Sequence, residues 1–572
     1  MSISRKFQRS KSKYTLSQKI ISAVTAAGFI MQPIVGFAHN IVASNDFGTK
    51  VETNGKVTDI WAGKVVGNAA VNVFDKFNLS ANEIANMYFK TQQGSEWKDN
   101  LVNFVNSRID INGTVNAVKD NKIGGNLFFL SKDGMAVGKS GVINTGSLYV
   151  MTPTPDFMEA VQTVGTEAPA EDANKYLGYI TNITDPTKAN AWEIIPVNTS
   201  GTITVLGKVN ATNEVQMRAA KIGVGKNVSG ELKDDEGTVI MEANAANKEA
   251  YIKTGITNFA DIVNIKNADG TASITESGLT GDLQATQTGN GDIVLSAYVD
   301  GATEKNNLEK LPFIGGTFGP IAETAENTFV EQDFNASVDV YGTVATGVET
   351  TEKKGNININ ATAVNSNADF NEQINDYELN DNDVAQLANV KAEVNIDGAV
   401  KATEDVTVKA EAINRYIDNS GAVAKAVSVG VSSGTPITGD VAYSVLNTEA
   451  NVNITSDGSI ESGKGVDIDA KAETLAASAA SVTALKFKAA GGTTGANVPA
   501  VSVLYTAADN KANVTVEGTV KADKVISIDA DADMKVEAEN KMGIKGKMGN
   551  QFVVGVTVAG AENSASVDIK GS

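Results

Sequence analysis

The chain has 572 residues, no cysteine, a single histidine and a formal net charge of −20. Without thiols and with only His39, disulfide frameworks, Cys or His metal sites and Ser-His-Asp catalysis are excluded from its core. The acidic excess also opposes nucleic acid and anionic lipid as partners.

Residues 1–38 read as a secretory signal. Arg5, Lys6, Arg9, Lys11, Lys13 and Lys19 precede an apolar run from Ile20 to Met31, and Pro33 and Gly36-Phe37-Ala38 follow. Small residues at Gly36 and Ala38 set the expected cut between Ala38 and His39. The apolar run is shorter than the roughly 20 residues a membrane span needs, and Gln32 and Pro33 interrupt it. Residues 39–572 then carry 42 basic against 68 acidic side chains, a net of −26. A secreted chain without cysteine can cross a second membrane unfolded, because no disulfide locks it on the way.

Next comes a Phe-richer module. Asn72-Val73-Phe74-Asp75-Lys76-Phe77 is followed by Leu101-Val102-Asn103-Phe104-Val105 and by Ser107-Arg108-Ile109-Asp110-Ile111-Asn112-Gly113-Thr114-Val115. Leu127-Phe128-Phe129-Leu130 then leads through Ser131-Lys132-Asp133-Gly134 to Ile143-Asn144-Thr145-Gly146-Ser147-Leu148. In that order the five elements resemble the secretion domain of the filamentous-haemagglutinin family, the two-partner-secretion exoproteins. The resemblance covers roughly residues 40–245. It implies a β-helical opening read in the periplasm by the soluble domains of a dedicated outer-membrane transporter, with strand-edge pairing as one physical means. Asn72, Phe74, Phe77, Asn103 and Asn144 are the motif residues, read mainly as structural and secondarily as transporter contacts. The family often has Asn-Pro-Asn-Gly where this chain has Ser131-Lys132-Asp133-Gly134, although Asp-Gly still supplies a tight turn. Residues 152–198, with Pro153, Pro155, Pro169 and Pro186, are too irregular for coils.

Residues 246–572 are repetitive. Ala392-Glu393-Val394-Asn395-Ile396-Asp397-Gly398-Ala399-Val400-Lys401-Ala402 returns from Ala512 to Ala522, and again with one insertion from Ala450. Looser copies start at Ala336 and Gly201, and a last one at Ala565, so the larger period is 53 to 62 residues after Ala336. Alternating Val, Ile and Ala against Asn, Asp, Thr and Lys describes strands with one buried face, and the glycine marks a corner. Strand and corner in alternation make a right-handed parallel β-helix, an all-β solenoid with loop and hairpin excursions. Taking roughly 20 residues per coil, about 25 coils and a rod of about 120 Å are expected. Tandem sandwich domains would also give short strands, but from residue 379 onward the aromatic anchors they need are scarce. The last copy stops at its first corner, which reads as the front of a longer rod.

Other motifs carry less. Gly134 to Ser140 resembles a phosphate loop but is one residue short and leads into a β run. Gly289-Asn290-Gly291-Asp292 is half of a calcium nonapeptide, present once, and reads as a hairpin turn. Asp467, Asp469, Asp529 and Asp531 alternate on an outward face, where they solubilise or, with calcium, would catalyse. Residues 308–330 include Leu311-Pro312-Phe313-Ile314-Gly315-Gly316, an apolar flap or contact loop. The sequence thus reads as a non-enzymatic, cofactor-free surface adhesin of a Gram-negative-type bacterium, secreted or outer-membrane-associated. Its partners would be the transporter and host cells or other bacteria. A leukotoxin-type cytotoxin is the alternative, with a polysaccharide-degrading β-helix third.

Overall fold

A computed structural model describes residues 40–572, apart from 45–46, 164–194, 234–236, 238, 258, 260–290, 301–304, 307–328, 350–353, 366–384, 421–437, 488–495, 498–499 and 546–552. Residues 41–572 form one compact unit. Ala38 and His39, residues 308–322 and Gly289-Asn290 lie outside the described residues.

The unit is a parallel β-helix with three faces. The first face stacks in-register strands that start at Ala69, Asn100, Asn126, Ser147, Val215, Ile293, Ile357, Val406, Val466 and Ile526, one per coil. The second runs from Ile109–Ile111 and Met135–Val137 through Phe329–Val340, Ala385–Ile396, Thr438–Ile454 and Ala500–Val516 to Val553–Ile569. The third includes Ile84–Tyr88, Thr114–Lys119, Val142–Thr145, Lys208–Ala211, Thr343–Ala345 and Thr519–Ala522. At the amino-terminal end antiparallel strands lie over the first coil: Lys64–Val66 pairs with Ala69–Leu79, and Lys50–Asn54 pairs with Val57–Trp61. Lys50–Asn54 is short and mostly exposed, as an outermost strand should be.

The expected coil number needs correction. Ten coils are traceable among the described residues, a rise of only roughly 45 Å at ~4.8 Å per coil. The positions read as repeat starts, Ala336, Ala392, Ala450, Ala512 and Ala565, occupy one and the same row. The 53 to 62 residue period is therefore one coil and not several. Chain that was assigned to extra coils instead lengthens existing strands, to 22 residues in Val466–Phe487. There the first and second faces run on past the three-sided core and pack directly on each other through Ala388, Leu446, Ala476 and Ala508.

Two local features explain the sequence pattern. Inside, like stacks on like: Val338, Val394, Val452 and Val514 form one column, and Ile293, Ile357, Val406 and Val466 another. At the corner between the second and third faces, each carbonyl accepts the amide of the next coil; Ala399 N donates to Gly342 O at 2.9 Å. A Cβ on Gly398 would sit 2.0 Å from that same oxygen, and one on Gly518 2.1 Å from Gly458 O. The recurring glycine is thus a close-approach requirement.

Candidate functional site

The Phe- and Asn-containing motif residues of 72–103 fold into the interior. Phe74 and Phe77 meet edge to face at 5.2 Å, and Phe77 meets Phe129 at 5.5 Å. Asn72 and Asn103 also point inward: Asn72 Nδ2 donates to Asn103 Oδ1 at 3.0 Å, and Asn103 Nδ2 to the Phe128 carbonyl at 3.0 Å. Amides in the core hold neighbouring coils in register because each must find its partner one coil away.

Asn144 faces outward yet is fully buried. It belongs to a ladder in which Asn210 donates to Asn144, Asn144 to Asn116, Asn116 to Asn86 and Asn86 to the Asp59 carboxylate, all at 3.0 to 3.1 Å. On the outer side of this face Tyr88 and Val118 pack against Trp97, Ile123 and Phe259. On the first face the outer cover is a helix, α1 (Pro155–Thr163), which lays Phe157 and Met158 on Phe128, Tyr149 and their neighbours. The proline-rich stretch thus contributes a lid to the coils.

Ser131-Lys132-Asp133-Gly134 forms a turn between the strands Asn126–Leu130 and Met135–Val137. Ser131 Oγ donates to the Ser107 carbonyl at 2.7 Å and accepts from Asp133 N at 3.2 Å. Gly134 has φ +90°, and a Cβ there would strike Thr202 O at 1.9 Å. Asn198 Nδ2 donates to the Lys132 carbonyl at 2.7 Å, tying the turn to the end of the excursion. Only Lys132 and Asp133, paired at 2.9 Å, present their side chains to solvent. The phosphate-loop look-alike Gly134 to Ser140 opens no helix, since Val142–Thr145 is a strand. The motif residues are therefore brought together, but as core and turn rather than as an open site.

The outward carboxylates of the repeats lie in rows of alternating charge. Lys409 sits 3.1 Å from Asp467 and 3.9 Å from Asp469 in the next coil, and Lys471 bridges Glu411 and Glu473 at 3.5 and 3.1 Å. Partial burial lifts the Asp469 carboxyl; Lys409 opposes the rise, while Asp467 and Asp529 add to it. Among the described residues no group of three or more His, Cys, Asp or Glu is placed to hold a metal ion.

Two features were not anticipated from sequence. Glu214 is half-buried at a coil junction and accepts a hydrogen bond from the Tyr149 hydroxyl. Burial, and then the Asp292 charge one coil away, push its carboxyl up to about 7, against an opposing hydrogen bond from Gln216. The second is a set of outward amide rows on the second face. Asn447 Nδ2 donates to Asn389 Oδ1 and Asn389 Nδ2 to Asp333 Oδ1, both at 2.7 Å. Beside them Asn453 donates to Asn395 at 2.9 Å and Asn395 to Asp339 at 3.1 Å. The signal was present in the repeat copies, as identical residue types at one polar position, but only the one-coil period makes them neighbours.

No family model matches the chain, and no curated protein matches it.

Proposed function

We propose that this protein is a secreted or cell-surface filamentous adhesin, exported through a dedicated outer-membrane transporter and displaying contact surfaces on a β-helical rod. The observation that carries the reading is the stacking of the export-motif residues Asn72, Phe74, Phe77 and Asn103 in the interior of the opening coils. A chain that must emerge unfolded and fold outside needs such a self-stacking start, because every later coil is templated by the one before. The cysteine-free composition and the signal-like residues 1–38 support the same route. The acidic rows favour a non-catalytic face: Asp467 and Asp469 are engaged by Lys409, and the alternation of sign spreads charge rather than focusing it on a substrate.

Two measurements test the proposal. Co-expression with an outer-membrane transporter of the two-partner-secretion type should move the chain to the medium or cell surface. Purified protein should then adhere to epithelial cells or to other bacteria above the level of an unrelated β-helix. Retention in the periplasm in the presence of that transporter refutes the route, and adhesion no better than the control refutes the function. Lysis of leukocytes by the purified protein would instead establish the cytotoxin reading.

A further inference from the structure

We infer that the outer side of the second face holds a binding groove for a neutral, linear oligosaccharide laid along the helix axis. This rests on the adhesin reading and gives its contact surface a chemistry. The groove has a volume of about 310 Å³ and crosses successive coils over Asn389, Asn447 and Asp509 in one row, with Lys391, Glu449 and Lys511 in the next. That volume lies at the lower end for small-ligand sites.

Its charges cancel. Lys391 is 3.3 Å from Glu393, and Lys511 is 2.5 Å from Asp509, so neither ammonium is free to draw an anion. What remains is amide and carboxylate hydrogen-bonding capacity. A side-chain amide has two N–H donors and a carbonyl oxygen with two lone pairs. In the ladder Asn447 gives one hydrogen to Asn389, and Asn389 gives one to Asp333. The second hydrogen of each is left over at the groove. Next along, Asp509 closes the row: its Oδ1 is buried and its Oδ2 is held by Lys511.

The spacing selects the ligand. Equivalent groups recur every ~4.8 Å along the axis. An extended β-1,4-linked hexose chain advances by about that distance per sugar, so successive sugars meet successive coils. Vicinal hydroxyls, each both donor and acceptor, match the leftover amide hydrogens. Because the ladder already fixes the amide rotamers, little side-chain entropy is lost on binding.

The test uses the full exported chain with cellotetraose and chitotetraose as probes, followed by saturation-transfer NMR and calorimetry. Millimolar binding is expected, weakening about ten-fold in an Asn389→Ala/Asn447→Ala double variant as two neutral hydrogen bonds are lost. The Asn395→Ala/Asn453→Ala variant alters the neighbouring amide row outside the groove and should bind as wild type, which controls for folding. Absence of transfer to either probe at millimolar concentration overturns the inference. So does equal binding by both double variants, or binding of a heparin tetrasaccharide in place of the neutral probes. Cell adhesion without oligosaccharide binding sinks the groove and leaves the adhesin reading standing. Oligosaccharide binding without cell adhesion keeps the groove and removes that reading.

Discussion

Asn414 sits where the three-sided core gives way to the two-layered extension, and replacing it should open that boundary. Its Nδ2 donates to the carbonyls of Ala388 and Asn447, each at 3.2 Å, and its Oδ1 accepts from Asn365 at 2.9 Å. The side chain is fully buried, so these bonds tie the first face to the second with no water to replace them. Asn414→Leu keeps the branched four-atom skeleton of the side chain, so no cavity opens and the loss of the polar contacts is what is read. Three partners lose their mate at about 1 kcal/mol each, so the boundary should weaken by about 3 kcal/mol. Converted at 1.4 kcal/mol per decade, amides around it should lose about two orders of magnitude of protection. Hydrogen exchange read by mass spectrometry on peptides from 385–396 and 406–415 measures this directly, and it avoids treating a long repeat as two-state. Asn395→Ala, on the outward side of the adjoining strand, should leave the same peptides unchanged. Protection in Asn414→Leu equal to or above wild type in both peptides would refute the idea that this amide pins the two faces.

Further expectations follow the same logic. Glu214 ionises only above its usual range, so the folded state favours its protonated form; stability from this group is highest below pH 4.5 and declines as pH rises to about 7. The span corresponds to a loss of about 3 kcal/mol, and Glu214→Gln should abolish that decline; a variant whose thermal stability tracks wild type from pH 4 to 8 would contradict the burial argument. Gly398→Ala forces a Cβ against the Gly342 carbonyl and should cost on the order of 3 kcal/mol by chemical denaturation. Gly560→Ala, which meets nothing within 4 Å, should stay within about 0.5 kcal/mol; equal effects at the two glycines would dismiss the corner explanation. Phe77→Ala removes a ring packed on Phe74 and Phe129 and should destabilise the opening coils by about 3 to 5 kcal/mol. Lys132→Ala should leave proteolytic resistance intact, so a selective fall in its secretion would mark the turn as a transporter contact, and normal secretion would mark it as structural alone.

Much of this architecture is local and therefore legible in the chain. Period-two alternation in segments such as Val394 to Ile396 dictates strands with one buried face, because side chains on a pleated strand point alternately. The glycine that follows, as at Gly398, marks a corner, and recurrence of the pair commits the chain to a solenoid. Absence of cysteine and the single histidine remove whole classes of chemistry without any structure. Coil length is different, since it depends on which distant residues pair. Ala392 pairs with Ala450, and nothing within either segment says how much chain the intervening loop takes up. Tertiary structure alone decided that the long Ala and Val tracts extend strands rather than add coils. It also decided that Asn144 lies beneath a cover while Asn447 lies in an open groove, although both are asparagines at polar positions of similar strands. The physical reason is that the pattern along a strand fixes which side a residue faces, whereas burial of that side depends on what the rest of the chain lays over it.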